Sequence, residues 1–93
     1  MLIESSSYYY DKARQYENDY NYHMRQGRHA QTWADSYVRK AQGAQDPRII
    51  RDAMYTANQY QKAANEHYES AQKYLRESRE CKSRADKLAR RGF

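Results

Sequence analysis

The sequence predicts an all-α protein, a long antiparallel two-helix hairpin built as an alanine-rich coiled coil. Three observations predict it. In the second half every seventh residue is small, at Ala57, Ala64, Ala71, Ser78 and Ala85, and a companion series runs through Tyr60, His67, Tyr74, Cys81 and Leu88. The first half repeats this, with Ala13, Tyr20, Gly27, Ala34 and Ala41 beside Tyr9, Tyr16, His23, Ala30 and Tyr37. Between the halves lies one short break carrying Gly43 and Asp46-Pro47. A strict seven-residue repeat keeps one stripe facing a partner helix, so the two series are the a and d positions of a heptad.

Taken in order, the first helix can be capped by Ser5, Ser6 or Ser7 and should span 5–42, where Gly43 is a natural stop. A turn over 43–46 follows. The second helix opens with Asp46 as N-cap and Pro47 at the first helical position, then runs over 47–91 with Gly92 beyond it. Helices of ~40 residues are ~60 Å long, and so short a turn forces them antiparallel. The whole of 1–93 reads as a single helical-hairpin domain.

The heptad phase favours a register in which a meets d. Tyr9 then faces Ser78, Ala13 faces Tyr74, Tyr16 faces Ala71, Tyr20 faces His67, Gly27 faces Tyr60 and Tyr37 faces Ile50. Most layers set a large residue against a small one, as dense packing requires. A slip of one heptad also gives acceptable layers. Tyr9, Tyr16, Tyr20, Tyr37, Tyr60 and Tyr74 are thus expected in the core, with hydroxyls reaching solvent at the edge of a thin pair of helices. This close-packed pairing resembles the Rop family, whose helical hairpins dimerise and bind RNA; the likeness implies a hairpin that could pair into a four-helix bundle.

A second apolar line flanks the seam: Tyr10, Met24, Trp33 and Val38 in the first helix, Met54, Tyr68 and Leu75 in the second. Two helices cannot cover it, so a further surface is expected, a homodimer or a different protein. Tyr8, Tyr22 and Tyr55 fall on c or f and should lie outside, where single exposed aromatics are either interface anchors or ordinary surface.

Charge is uneven. Residues 1–46 hold six basic and six acidic groups, and residues 47–72 three of each. From Lys73 onward come Lys73, Arg76, Arg79, Lys82, Arg84, Lys87, Arg90 and Arg91 against Glu77, Glu80 and Asp86, so the net +5 of the chain sits in its last quarter. An antiparallel pairing puts this end beside Tyr8, Tyr9 and Tyr10. A basic, aromatic tip suits phosphate contact with base stacking, or docking on an acidic protein surface. The plainer reading is a solvated helix end with cations favoured by the macrodipole.

The same residues exclude much. Mean hydropathy of −1.40 would suggest disorder, but eleven tyrosines in a regular pattern argue against it. No stretch approaches the ~20 apolar residues of a membrane span. The first three residues are apolar, but Glu4 and a serine run follow, so no signal peptide is expected. A single cysteine excludes an internal disulfide and fits a reducing cytosol; a cytoplasmic protein is expected. His23, His29, His67 and Cys81 lack the close spacing of a structural zinc site. His23 and His67 should come within about a turn of each other across the hairpin, as ordinary packing or, alternatively, as a metal-binding or pH-sensitive pair. No metal and no cofactor is expected. The carboxylates are scattered over polar faces, there is no glycine-rich phosphate loop, and two helices leave no deep pocket, so no enzyme is expected.

Two helical-hairpin families are excluded by their turns. WXG-type hairpins need Trp-x-Gly where this chain has Gln42-Gly43-Ala44, and type III needle subunits usually carry two prolines where this turn has Pro47 alone. Ala30-Gln31-Thr32-Trp33-Ala34 with Tyr37 and Ala41 is similar to a stretch of Gam, the lambdoid phage inhibitor of a host recombination nuclease, over about a dozen helical residues of low information.

The function expected is that of a small non-enzymatic binding protein, an inhibitor or adaptor of phage or plasmid type that docks on a larger protein or protein–nucleic acid assembly. Lys73, Arg76, Arg79, Lys82, Arg84, Arg90 and Arg91 would supply electrostatics, and Tyr8, Tyr10, Tyr22, Trp33, Tyr55, Tyr68 and Leu75 contact area. The alternatives are direct RNA or DNA binding by a Rop-like hairpin, and a structural coiled-coil subunit.

Overall fold

The computed structural model describes residues 4–93. The apolar Met1–Ile3 stretch considered above lies outside them. Two long helices, α1 (Ser6–Gly43) and α2 (Pro47–Arg90), pack as a hairpin, and among the described residues there is no strand.

The ends follow from local chemistry. Of the three candidate serines, Ser5 caps α1: its Oγ accepts from the Tyr8 amide at 3.2 Å and its carbonyl from the Tyr9 amide at 3.3 Å. Gly43 is the last residue of α1 but does not take up a left-handed φ. Asp46 caps α2, with Oδ1 accepting from the Arg48 amide at 2.9 Å and its carbonyl from the Ile50 amide at 3.0 Å, and Pro47 needs no partner at the first position. At the far end Gly92 has φ of 85°, and the amides of Phe93 and Gly92 donate to the carbonyls of Leu88 and Ala89. That paired closure is the Schellman arrangement, and a side chain at the left-handed position would be strained.

The described residues divide into two compact units, each built from both helices. One, here the turn unit, is His23–Glu69. The other, the terminal unit, takes the described residues up to Tyr22 together with Ser70–Phe93.

In each unit the core is made of small seam residues, all on a except Ala53, which is on d. Ala34, Ala41, Ala53, Ala57 and Ala64 are buried in the turn unit; Ala13, Ala71, Ser78 and Ala85 in the terminal unit, with Ala64, Ala71 and Ala85 at 0 % exposure. Gly27 is buried as well. Side chains this small let the backbones approach closely, and no ring fits between them.

The rings therefore leave the seam, and three expectations are corrected. Among the six tyrosines assigned to the core, Tyr9 is buried, but Tyr16, Tyr20, Tyr37, Tyr60 and Tyr74 are only half-buried. The expected layers are displaced by about one turn. Tyr74 stacks on Tyr16 rather than facing Ala13, with centroids 6.0 Å apart, and the Ser78 hydroxyl donates to the Ala13 carbonyl at 3.0 Å rather than facing Tyr9. His67 meets His23 instead of Tyr20. In the two ring pairs d lies beside d, and in the Ser78–Ala13 contact a lies beside a, because each helix tilts its side chains toward its own N-terminus and large rings can meet only at the edge of the seam. Finally, Ile50 does not enter the core opposite Tyr37; it is exposed, and Ala41 and Ala53 occupy the seam near the turn.

Gly27 does accommodate a bulky neighbour, but the neighbour is Tyr68 and not Tyr60. A Cβ at position 27 would stand 2.6 Å from Cε1 and 2.9 Å from Cδ1 of the Tyr68 ring. Here the missing side chain is a packing requirement rather than a conformational one.

Candidate binding surfaces

The last turns of α2 carry the charge. Lys73, Arg76, Arg79, Lys82, Arg84, Lys87, Arg90 and Arg91 are all exposed. Their heptad positions (b, c and f for most, e and g for Lys82, Arg84 and Arg91) spread them over the outer arc of the helix instead of gathering them into one groove. Glu80 and Asp86 lie on the same arc.

Arg84, though exposed like its neighbours, also makes contacts within the terminal unit. Its guanidinium lies over the Tyr9 ring, 5.1 Å from the centroid, with Nη2 3.8 Å from Glu4 Oε1. The Tyr9 hydroxyl donates to that same Oε1 at 2.8 Å. Acceptance of this bond by Glu4, with burial, holds the Tyr9 phenol above its ordinary 10.0, while the Arg84 charge pulls the other way. The neighbouring Tyr10 hydroxyl donates to Asp86 Oδ1, and that bond likewise raises the Tyr10 phenol. The Ser6 amide donates to the Phe93 carbonyl at 3.3 Å, tying the ends of the described chain together. Sequence reasoning missed this clasp. The sole signal for it was Glu4 and Tyr9 at one end and Arg84 and Asp86 at the other, and their meeting depends on the register.

The aromatic residues are not gathered at one tip. Tyr8, Tyr10 and Tyr22 belong to the terminal unit, whereas Trp33, Tyr55 and Tyr68 belong to the turn unit. Tyr8, Tyr22 and Tyr55 are exposed, as expected, and Lys12 Nζ stands 5.9 Å from the Tyr8 centroid. Tyr68 covers Gly27 and is half-buried, as is Leu75, so neither is a fully exposed anchor. Of the flanking apolar line, Tyr10, Trp33 and Met54 are exposed, while Met24 and Val38 are half-buried.

In the turn unit the edge of the seam is aromatic. Tyr37 and Tyr60 stack at 5.8 Å and 13°, and Trp33 lies 6.1 Å from Tyr60 at 23°. Further along, His23 Nδ1 and His67 Nδ1 are 2.9 Å apart, both rings half-buried. A shallow groove of about 380 Å³ passes beside His67, His29, Trp33 and Tyr60. Elsewhere in this unit Gln31 and Gln61 bond reciprocally, at 2.7 and 2.8 Å. Sequence reasoning missed this amide pair, although both residues fall on e and face each other across an antiparallel seam. Among the described residues no cluster of three or more His, Cys, Asp or Glu side chains is placed to hold a metal ion, and no helix is long and apolar enough to cross a membrane.

Comparison of the chain with known protein families, with curated proteins and with solved structures finds no match.

Proposed function

We propose that this chain is a small non-enzymatic binding protein that docks, through the basic outer arc of α2, on an acidic protein surface within a nucleic-acid-handling assembly, as inhibitors and adaptors of phage or plasmid type do. One observation carries the reading: the exposed cations Lys73, Arg76, Arg79, Lys82, Lys87, Arg90 and Arg91, none of which has an ion pair among the described residues, beside Arg84, which is exposed as well and also contacts Glu4 and Tyr9. A field of that sign steers association and selects a partner of opposite charge.

A protein partner is favoured over direct contact with nucleic acid for two reasons. Glu80 and Asp86 interrupt the arc, which suits a face of mixed charge better than a uniform run of phosphates. The rings that base stacking needs are also few there, since Tyr9 is buried under Arg84 and only Tyr8 and part of Tyr10 are exposed.

The test is a pull-down with the tagged full chain beside the R76E/R79E variant. The expected outcome is one defined protein retained at low salt and lost from the variant, with both chains equally helical by circular dichroism. Recovery of the chain alone, in repeated trials, defeats the proposal. A gel shift with RNA or DNA whose affinity falls steeply with salt would transfer the function to direct nucleic-acid binding. Large homopolymers in light scattering would instead indicate a structural subunit.

A further inference from the structure

The geometry points to a second site in the turn unit: His23 of α1 and His67 of α2 form a two-histidine seat for a borderline divalent cation such as Cu2+, Ni2+ or Zn2+. The two Nδ1 atoms converge to 2.9 Å. Metal–imidazole bonds of ~2.0–2.1 Å place two nitrogens at right angles on one ion ~2.9 Å apart, and on a tetrahedral ion ~3.4 Å apart. With ring centroids 5.1 Å apart, each Nδ1 points nearly along the line to the other, so both rings swing by about 35–45° to aim their lone pairs at one ion.

The proton balance is simple. In the metal-free pair one Nδ1 donates and the other accepts, so one ring carries its proton on Nδ1. On binding, that proton moves to the same ring's Nε2. Both rings stay neutral and both Nδ1 atoms become ligands.

The surroundings fit an ion that keeps solvent ligands. Both rings are half-buried, and the groove beside His67 is open to water, bounded by Trp33 and Tyr60. No third His, Cys, Asp or Glu joins the pair among the described residues, so water completes the shell. Two imidazoles select Cu2+, Ni2+ or Zn2+ over Mg2+, with Cu2+ held tightest. Because the ligands come from different helices, the site exists only when the hairpin is formed, and the ion acts as a clip between them.

The experiment uses the untagged full chain in metal-free buffer, melted with and without Ni2+, and with Mg2+ as control. Ni2+ should raise Tm by several degrees, since binding to the folded state alone stabilises it by mass action, and Mg2+ should not. The rise should vanish in His67→Gln and persist in His29→Gln, which lines the groove outside the pair. As a readout that needs no variant, the electron paramagnetic resonance spectrum of bound Cu2+ should show coupling to two imidazole nitrogens. No Tm rise at millimolar Ni2+, a rise that survives His67→Gln, or coupling to fewer than two nitrogens each overturns the site. Should His67→Gln fail to fold, the Cu2+ spectrum of the unaltered chain and the His29→Gln melt decide the question.

Discussion

The turn unit flanks its small-residue seam with stacked rings, a histidine pair and a reciprocal glutamine pair. The terminal unit flanks the same kind of seam with one stacked tyrosine pair, a serine–carbonyl bond and a charged clasp through Glu4, Tyr9 and Arg84. The core chemistry is thus common to both, and the edges are where they differ. A seam of alanines specifies closeness but says little about alignment, since every rung is alike. Alignment is supplied at the edges by contacts that only one register can make.

If that division of labour is right, damage to the seam should be severe and equal in both units. Ala64 in the turn unit and Ala71 in the terminal unit are each fully buried. Ala64→Leu and Ala71→Leu force four-carbon side chains between close-packed backbones, and each should cost about 3 kcal/mol or more, the upper end of overpacking. For a hairpin of ordinary marginal stability that approaches unfolding. Chemical denaturation followed by circular dichroism reads the effect. A leucine tolerated without loss at either position would show that the helices there are not in close contact.

The next effect belongs to the turn unit alone. Replacing a mid-helix glycine by alanine ordinarily stabilises by ~1 kcal/mol. At Gly27 the added Cβ meets the Tyr68 ring at 2.6 Å, a distance at which the ring must move. Gly27→Ala should therefore destabilise by about 1 kcal/mol net, with overpacking outweighing propensity. In a Tyr68→Ala background the same change should stabilise, because only the propensity gain is left. Like signs in the two backgrounds would mean that the Tyr68 ring does not rest on Gly27.

These contrasts mark what a single sequence could reveal. The seven-residue ladder made the helices legible to within a residue at their ends, because periodicity, Asp46-Pro47 and the serine run are local signals. The seam was legible as well: Ala57, Ala64 and Ala71 are buried. The register was not. Shifting an alanine seam by one turn exchanges one small residue for another at almost no cost in pattern, so rules of large against small could not choose. What fixes it is the meeting of Tyr16 with Tyr74, His23 with His67 and Gln31 with Gln61, where like pairs with like. The expectation that a faces d had set Tyr16, Tyr74 and His23 opposite small neighbours and His67 opposite Tyr20, and it assigned no partner to Gln31 or Gln61. The basic arc was readable by counting charges, whereas the contacts of Arg84 with Tyr9 and Glu4 and the bond of Tyr10 to Asp86 needed geometry. For the same reason the aromatic half of the expected tip shrank to Tyr8 and the exposed part of Tyr10.

The smallest expected effect isolates the polar edge of the terminal unit by pH. The Tyr9 and Tyr10 phenols are held above 10.0 in the folded chain, first because Glu4 and Asp86 accept their protons in hydrogen bonds. In the unfolded chain they titrate near 10.0. A raised folded value favours the protonated form, so this contribution is fully present below pH ~10 and is lost as pH climbs through the folded values. Denaturation midpoints of the native chain and of the Y9F/Y10F variant should therefore differ by a constant amount from pH 7 to pH 9 and converge above pH 10. Every other ionisable group is common to both chains, so the comparison isolates the two phenols. A gap between native and Y9F/Y10F chains that stays the same at pH 8 and pH 11 would show that the two hydroxyl–carboxylate bonds do not hold the terminal edge, and that the seam there suffices by itself.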